Sequence, residues 1–494
     1  MSRVFVVGAG MGGLAVAARL AVKGHTVTVF EQGPTYGGKV GRFERDGFVF
    51  DTGPSLLTLP AVYRDLFLKT GDSLEASVDL QPVEPGFSYR WADGTNAVLP
   101  GVDSARAART LGEALGGDAE HDWRDLMTRA ARVWQLTREP VLEQPIESKR
   151  QLLKLASNIS DVRAVAPMTT LRQLGKKTIE DPRLRMLLDR YATYTGSDPR
   201  RAPAALCTIP YVEQTFGAWH VGGGMSTLAD ALYERCLERK VDFEFNCEVR
   251  GITRAHRSVN GVVLFDSRRL DADIVVSDVD AGHLYGDLIL DTRAAKQRKS
   301  LAKFTRSMAG FVIMLALKGQ TPGLTSHNVL FPEYYDAEFN SVFAGEPAQD
   351  PAIYLSRPDD PSMHPDDDHE ALFVLVNAPR HGLGKHEFDW RAPGVAEKYA
   401  GHILNLLADR GIDVRKRLLW REIRTPADLE RDTHSIGGSI YGSASHGKGA
   451  SFLRPANRSP VPGLFLVGGS AHPGGGLPLV GISAEIVANL IGRA

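Results

Sequence analysis

The chain has 494 residues, roughly three domains' worth of sequence and enough to enclose a deep cavity. Hydrophobic residues at 43% and charged residues at 24% sit near globular averages, which excludes disordered and fibrous classes. The 58 basic and 59 acidic residues leave a net charge of −1, without the basic excess of a nucleic-acid binder.

Glycine is the outlier. The 50 glycines and 28 prolines make up about one residue in six, which implies many tight turns and close backbone approaches. Cys207, Cys236 and Cys247 show no Cys-x-x-Cys spacing and no disulfide framework, as expected in a reducing compartment. The longest apolar run, Phe311 to Leu317, is far short of the roughly 20 residues of a spanning helix. No basic-then-apolar signal segment opens the sequence, so the expected location is cytoplasmic. The histidines lack metal-ligand spacing, and no metal site is expected.

Val4 to Val7 reads as a buried parallel strand, Leu14 to Leu20 as a helix, and Thr26 to Phe30 as a second strand. Between the first strand and the helix lies Gly8-Ala9-Gly10-Met11-Gly12-Gly13. Gly8 permits the tight turn, Gly10 lets the backbone approach a pyrophosphate, and Gly13 lets helix and strand pack closely. The helix N-terminus then presents free N–H groups to a diphosphate, with Gly12 in its first turn. Glu31, 18 residues after Gly13, stands where a carboxylate accepts hydrogen bonds from adenosine ribose hydroxyls.

A second glycine pair, Gly37-Gly38, follows with Lys39 and Arg42. A plain NAD domain would start its next helix there, so the pair suits a loop lying along a longer, extended cofactor. Arg42 is expected near its anionic linkage.

Mid-chain, His220-Val221-Gly222-Gly223-Gly224-Met225 precedes a helical run from Ser226 to about Arg239. Strand candidates follow at 242–250, 261–265 and 273–278, with Val249 placed to meet adenine. Near the C-terminus, the strand-like Leu464 to Val467 enters Gly468-Gly469-Ser470-Ala471-His472-Pro473-Gly474-Gly475-Gly476-Leu477-Pro478, and a helix follows over 483–490. That helix end suits the negative charge that develops over a reduced isoalloxazine, with Gly468, Gly469 and Pro478 as candidate contacts.

Three separated stretches thus read as one nucleotide-binding unit: 1–75, 215–285 and 425–494. The intervening 76–214 and 286–424 are expected to build a substrate domain. The predicted fold is α/β, a Rossmann-like FAD-binding domain interleaved with an α+β substrate domain.

Over nearly its whole length the chain resembles the bacterial phytoene desaturase family of FAD-dependent carotenoid desaturases, within the amine-oxidase-like flavoproteins. The resemblance rests on Gly8 to Gly13, Glu31, Gly37-Gly38, the segment Phe48 to Ser55, and the signature Phe452-Leu453-Arg454-Pro455-Ala456-Asn457-Arg458 followed by Gly463 to Gly468 and His472 to Gly476. The stretch Tyr441 to Gly447 looks more like members acting on later, hydroxylated carotenoids.

The resemblance implies FAD, an acyclic polyene substrate, hydride transfer to flavin N5 with loss of a proton, and peripheral attachment to a membrane surface. His472 is the candidate catalytic residue; steering the cofactor and capping the turn are its alternative roles. Arg454 and Arg458 are candidates to neutralise cofactor oxygens. Phe311 to Leu317, Val329 to Phe331 and Leu372 to Val376 are candidate walls of an apolar tunnel, or plain core strands. Lys149 to Leu155 is a candidate interfacial helix. The alternatives are an amine oxidase, a retinoid saturase-like enzyme, an isoprenoid carrier without catalysis, and an NAD-only dehydrogenase. Gly37-Gly38 and the C-terminal signature speak against the last.

Overall fold

The computed structural model describes residues 2–146, 159–289, 291–446 and 454–494. Five parallel strands form one sheet: β1 (Arg3–Val7), β2 (Thr26–Phe30), β3 (Asp242–Glu244), β4 (Ile274–Ser277) and β5 (Leu464–Leu466), in spatial order β3-β2-β1-β4-β5. Val4 pairs with Val27 on one side and Ile274 on the other. Val4 and Val6 face one buried cluster while Phe5 and Val7 face another, so β1 is apolar on both faces, as a covered parallel strand must be. The strand order reverses direction between β1 and β4, and ligands of such sheets bind beyond the strand ends at that crevice.

Helix α1 (Met11–Val22) packs on this sheet beside α2 (Ser226–Glu238) and α3 (Leu477–Ile491). Two elements differ from expectation. The strand expected over 242–250 ends at Glu244, because Asn246 adopts a left-handed φ of 51°. The N–H groups of Asn246 and Cys247 instead donate to the carbonyls of Gly33 and Glu31, at 2.9 and 2.8 Å, wrapping the end of β2. A separate three-stranded sheet then runs through Val249–Ala255, Ser258–Leu264 and Arg269–Asp271. The C-terminal helix begins at Leu477, ahead of the expected start, because Pro478 stands in its first turn, where a missing N–H costs nothing.

A seven-stranded sheet forms the second layer. Its order is Leu418–Arg424, Ala309–Lys318, His369–Ala378, Ile353–Ser356, His327–Leu330, Phe87–Arg90 and Asn96–Leu99. Alternation along these strands separates two faces. Phe311, Ile313, Leu315, Leu372 and Val374 pack under the helix Val395–Asp409, while Met314, Tyr354 and Phe373 face the helical layer that contains Trp123 and Tyr191. The apolar runs 311–317 and 372–376 are therefore core strands that turn only alternate residues toward any ligand space. Among the described residues no helix is long and apolar enough to cross a membrane. Lys149 to Leu155, like Phe452 and Leu453 of the signature, lies outside the described residues.

The seating of α1 depends on Gly13, where a Cβ would run into the Gly8 carbonyl oxygen. Gly13→Ala is expected to cost about 1–3 kcal/mol or more by overpacking, read as a lower thermal midpoint. Gly401→Ala, in the helix Val395–Asp409 with open space around it, is expected to be neutral or stabilising.

Candidate active site

A cavity of about 400 Å³ opens at the carboxyl ends of β1 and β4 and runs between the two sheets. At one end it is bounded by Glu31, Gln32 and Val249; in the middle by Gly8, Gly10, Gly12, Gly37, Gly38 and Lys39; at the far end by Gly469, Gly475, Tyr441 and the face of the seven-stranded sheet.

The middle section is built by close approach. Gly8 has a φ of 99° and donates its N–H to the Phe30 carbonyl at 2.8 Å. A Cβ at Gly10 would lie 2.6 Å from Asp278 Oδ2, and one at Gly38 would lie 3.2 Å from the Gly10 Cα. The Gly37 N–H donates to the Ala9 carbonyl at 2.9 Å, which docks the second glycine pair directly on the first turn. Helix α1 starts after Gly10 with no side-chain cap, so its first N–H groups need an external acceptor.

Two carboxylates face this helix end. Glu31 Oε2 accepts from the Ala9 N–H at 2.7 Å and Oε1 from the Gly33 N–H at 2.8 Å, leaving a lone pair on each oxygen for a ligand. Asp278 Oδ2 accepts from the Gly13 N–H at 2.9 Å. Enclosure raises the Asp278 pKa to about 7, opposed by its bond to Gly13 and reinforced by the neighbouring Glu31. Lys39 donates to the Ile440 and Ser439 carbonyls at 2.8 and 3.2 Å, and enclosure lowers its pKa to about 8.

At the far end, α3 follows Gly476, again without a side-chain cap, and turns its N-terminus toward the cavity. Opposite it, Val312, Leu375 and Tyr354 form one cross-strand row, since Val312 pairs with Leu375 and Leu375 with Tyr354. The Tyr354 hydroxyl bonds His327 Nδ1 at 2.8 Å.

The structure brings together Gly8, Gly10, Gly12, Glu31, Gly37, Gly38, Lys39, Val249 and Gly469. The other expected contacts stand behind this lining. Gly13 packs on Gly8, Gly468 lies against Asp278, and Pro478 sits in the first turn of α3. Arg42 pairs with Glu44 at a 40% exposed position away from the cavity. His472 is buried behind the loop 468–476, where Nε2 donates to the Gln144 carbonyl at 3.0 Å and burial lowers its pKa to about 4. Arg454 fastens that loop, donating to the Tyr441, Gly469 and Ser443 carbonyls at 2.7, 2.8 and 3.0 Å. Arg458 lies over the Phe465 ring. The turn at 220–225 does not reach the cavity: Asp51 accepts the Ser226 N–H at 3.2 Å and closes the α2 end from within.

Sequence reasoning missed Asp278, Tyr354 and Tyr441. Asp278 carried a usable signal, because it directly follows a strand paired with β1 and so stands at the crevice. Tyr354 carried none, since only the cross-strand register turns it toward the cavity.

An uncapped helix after a glycine turn, a carboxylate at the end of β2 and a long cleft at the strand reversal define a dinucleotide-binding oxidoreductase of flavoprotein type. The chain belongs to the flavin-containing amine oxidoreductase family, whose pattern it matches over residues 11–388. It is 33% identical to a 1-hydroxycarotenoid 3,4-desaturase of Flavobacterium sp. (strain P99-3), over 99% of both chains. It is 30% identical to a 4,4'-diapolycopene oxygenase of Methylomonas sp, over 99% of this chain and 98% of the other. Its fold is similar to that of cyclohexylamine oxidase from Brevibacterium oxydans IH-35A, with a TM-score of 0.63 at 16% identity and 99% coverage of both.

FAD fits this cavity on chemical grounds: a glycine cradle that any Cβ would fill, two uncapped helix N-termini, Glu31 for ribose hydroxyls and the Lys39 ammonium for a diphosphate.

The same charges set a pH dependence. A diphosphate beside Asp278 and Lys39 stabilises the protonated form of each, so binding takes up protons. FAD affinity is therefore expected to be flat below pH 7 and to fall as pH rises through 7–8, the values of the free site. Asp278→Asn should bind FAD more tightly than the parent at pH 8 and lose the first part of that slope, measured by quenching of flavin fluorescence. Glu31→Ala should weaken FAD by roughly 10–100-fold, the loss of a charged hydrogen bond, and be rescued by excess FAD.

Proposed function

We propose that the chain is an FAD-dependent desaturase that introduces carbon–carbon double bonds into an acyclic carotenoid. The observation that carries this reading is the likeness, at 30–33% identity over the full length, to enzymes named for carotenoid substrates. The amine oxidases resemble the chain at 16% identity, which speaks for shared fold alone.

The physical character of the far end of the cavity supports the same reading. A polyene has no amine, phosphate or carbonyl to hold, so it must be positioned by shape and apolar contact. The row Val312–Leu375–Tyr354, with Phe373 beside it, offers such a wall opposite the α3 N-terminus. When bound there, the flavin supplies a hydride acceptor, and the second hydrogen leaves the substrate as a proton. The wall excludes water from the reacting carbons, and the α3 N–H groups favour the negative charge that the reaction deposits.

In this reading 1–75, 215–285 and 425–494 hold the cofactor, while 76–214 and 286–424 shape the substrate space. All five strands of the parallel sheet come from the first set and all seven of the other sheet from the second, which supports that division. The protein works on the cytoplasmic side of a membrane as a peripheral enzyme, because its substrate dissolves only in lipid. His472 orders the loop behind the ring: its imidazole is engaged by Gln144 and stays neutral near pH 7.

Two measurements test these assignments. Co-expression with acyclic carotenoid precursors should yield pigments lighter by two hydrogens per step and absorbing at longer wavelength. Oxygen-containing products with no loss of hydrogen would overturn the desaturase reading. At saturating FAD, His472→Gln should keep most of its turnover. A fall of roughly 10²–10⁴-fold, the worth of a general base, would make His472 the proton acceptor.

A further inference from the structure

A second cavity, about 640 Å³, lies behind the ring end of the first. The two are separated by one layer of chain. Asp280 lines the first cavity and is ion-paired at 3.0 Å with Arg306, which lines the second. Ser307, also in the second, takes the Tyr441 N–H on its hydroxyl at 3.0 Å, and Tyr441 lines the first.

The lining of this second cavity is cationic, with no aspartate or glutamate among the described residues that form it. Two of its cations are neutralised from behind: Arg306 by Asp280, and Arg380 by Glu387 at 3.1 Å. Three are not. Arg298 gives three of its five N–H groups to the backbone carbonyls of Tyr285, Ile289 and Asp291, which keeps two donors and its whole charge uncompensated. Arg201 and Lys303 are exposed at the mouth, and among the described residues none of the three has a carboxylate within ion-pair distance. The helix Ala295–Leu301 buries none of its residues and adds Lys296 and Lys299 outside the mouth. The floor, by contrast, is apolar, with Met308 and Val342 buried and Phe304 and Phe343 half-buried.

The rim carries a further apolar feature. His386 lines the cavity, and Leu383, three residues earlier and so within about 10 Å along the chain, is 89% exposed. It is the most exposed large apolar side chain among the described residues, and it has Lys385 two residues away. Unbalanced cations around an apolar floor, with a solvent-facing leucine at the edge, match an anionic amphiphile better than a small soluble anion.

We propose that this cavity and the Leu383 loop dock the protein on an anionic phospholipid surface, with a headgroup phosphate held by Arg201, Arg298 and Lys303. The inference rests on the reading of the substrate as a lipid-dissolved polyene, which it extends by assigning the face that meets the membrane. Docking there sets the thin wall at Asp280–Arg306, and hence the ring end of the active site, toward the bilayer.

The test uses FAD-loaded protein and sedimentation with vesicles of phosphatidylcholine alone or with added phosphatidylglycerol. Wild-type protein should partition at least tenfold more strongly onto the phosphatidylglycerol vesicles, and salt should weaken it. Arg201→Glu/Lys303→Glu should abolish that preference while leaving bound flavin and thermal midpoint unchanged. Leu383→Ser should weaken binding to both vesicle types and keep the preference. Equal binding to the two vesicles, or a charge-reversed variant that still prefers phosphatidylglycerol, would overturn the proposal. Release of the protein from vesicles by millimolar inorganic phosphate at constant ionic strength would also overturn it, in favour of a free-phosphate site. Desaturation of detergent-dissolved substrate, assayed in parallel, reports on the functional reading alone, so a failure of docking and a failure of that reading remain distinct.

Discussion

The positive end of α1 organises the molecule. Gly10 offers no capping side chain, Asp278 takes the Gly13 N–H from across the crevice at 2.9 Å, and the helix points at the strand reversal of the parallel sheet. That end favours negative charge, part of which Asp278 already supplies, and the surrounding chain is shaped around it. Gly12 faces Asp278 on one side and Gly468 on the other, at separations that leave no room for a Cβ. The glycines are thus required twice over: to let a diphosphate approach, and to admit the carboxylate that already touches the same helix end.

Three glycine-rich turns each precede a helix, and the structure uses them differently. The turns before α1 and α3 both line the same cavity, α1 at its middle, where Asp278 takes the Gly13 N–H, and α3 at its far end. The turn before α2 is closed from within by Asp51, whose carboxyl burial pushes to a pKa of about 6 despite its bonds to the Met225 and Ser226 N–H groups. An elongated cofactor with a charged middle and an electron-accepting end suits the two open termini. The third serves packing, holding α2 against the sheet that carries Glu31.

What could be read from the sequence followed the range of the determining interaction. The β1–α1–β2 unit is local: strand, turn and helix are specified within about 30 residues, and Gly8, Gly10, Gly12 and Glu31 all fall on the cavity. Gly37-Gly38 was legible for the same reason. Arg42 was misplaced because it begins the strand Arg42–Arg45, which directs it to Glu44 at the surface. His472 shares a loop with the ring-side glycines, but its neighbour is Gln144, more than 300 residues away in sequence, and no local pattern encodes that contact. The substrate wall was hidden for a different reason. Runs such as Phe311 to Leu317 are apolar on both faces of a buried strand, and only the pairing of Val312 with Leu375, and of Leu375 with Tyr354, decides which face meets the ligand.

Electrostatics then divides the molecule between its two cavities. Asp280 accepts from Arg306 at 3.0 and 3.2 Å and from the Gly282 N–H at 2.8 Å, with both side chains largely buried in the wall between them. Breaking such a pair would strand a buried charge at a cost of about 3–5 kcal/mol, so the wall is held firmly. The pair also faces Asp280 toward Lys39 and takes Arg306 out of play as a free cation. The first cavity sets its carboxylates against Lys39, Arg424 and two helix ends. Among the described residues, Arg201, Arg298 and Lys303 of the second cavity have no carboxylate within ion-pair distance. A near-neutral chain of 58 basic and 59 acidic residues thereby keeps a cavity of mixed charge on one side of a single layer of backbone and a cationic one on the other.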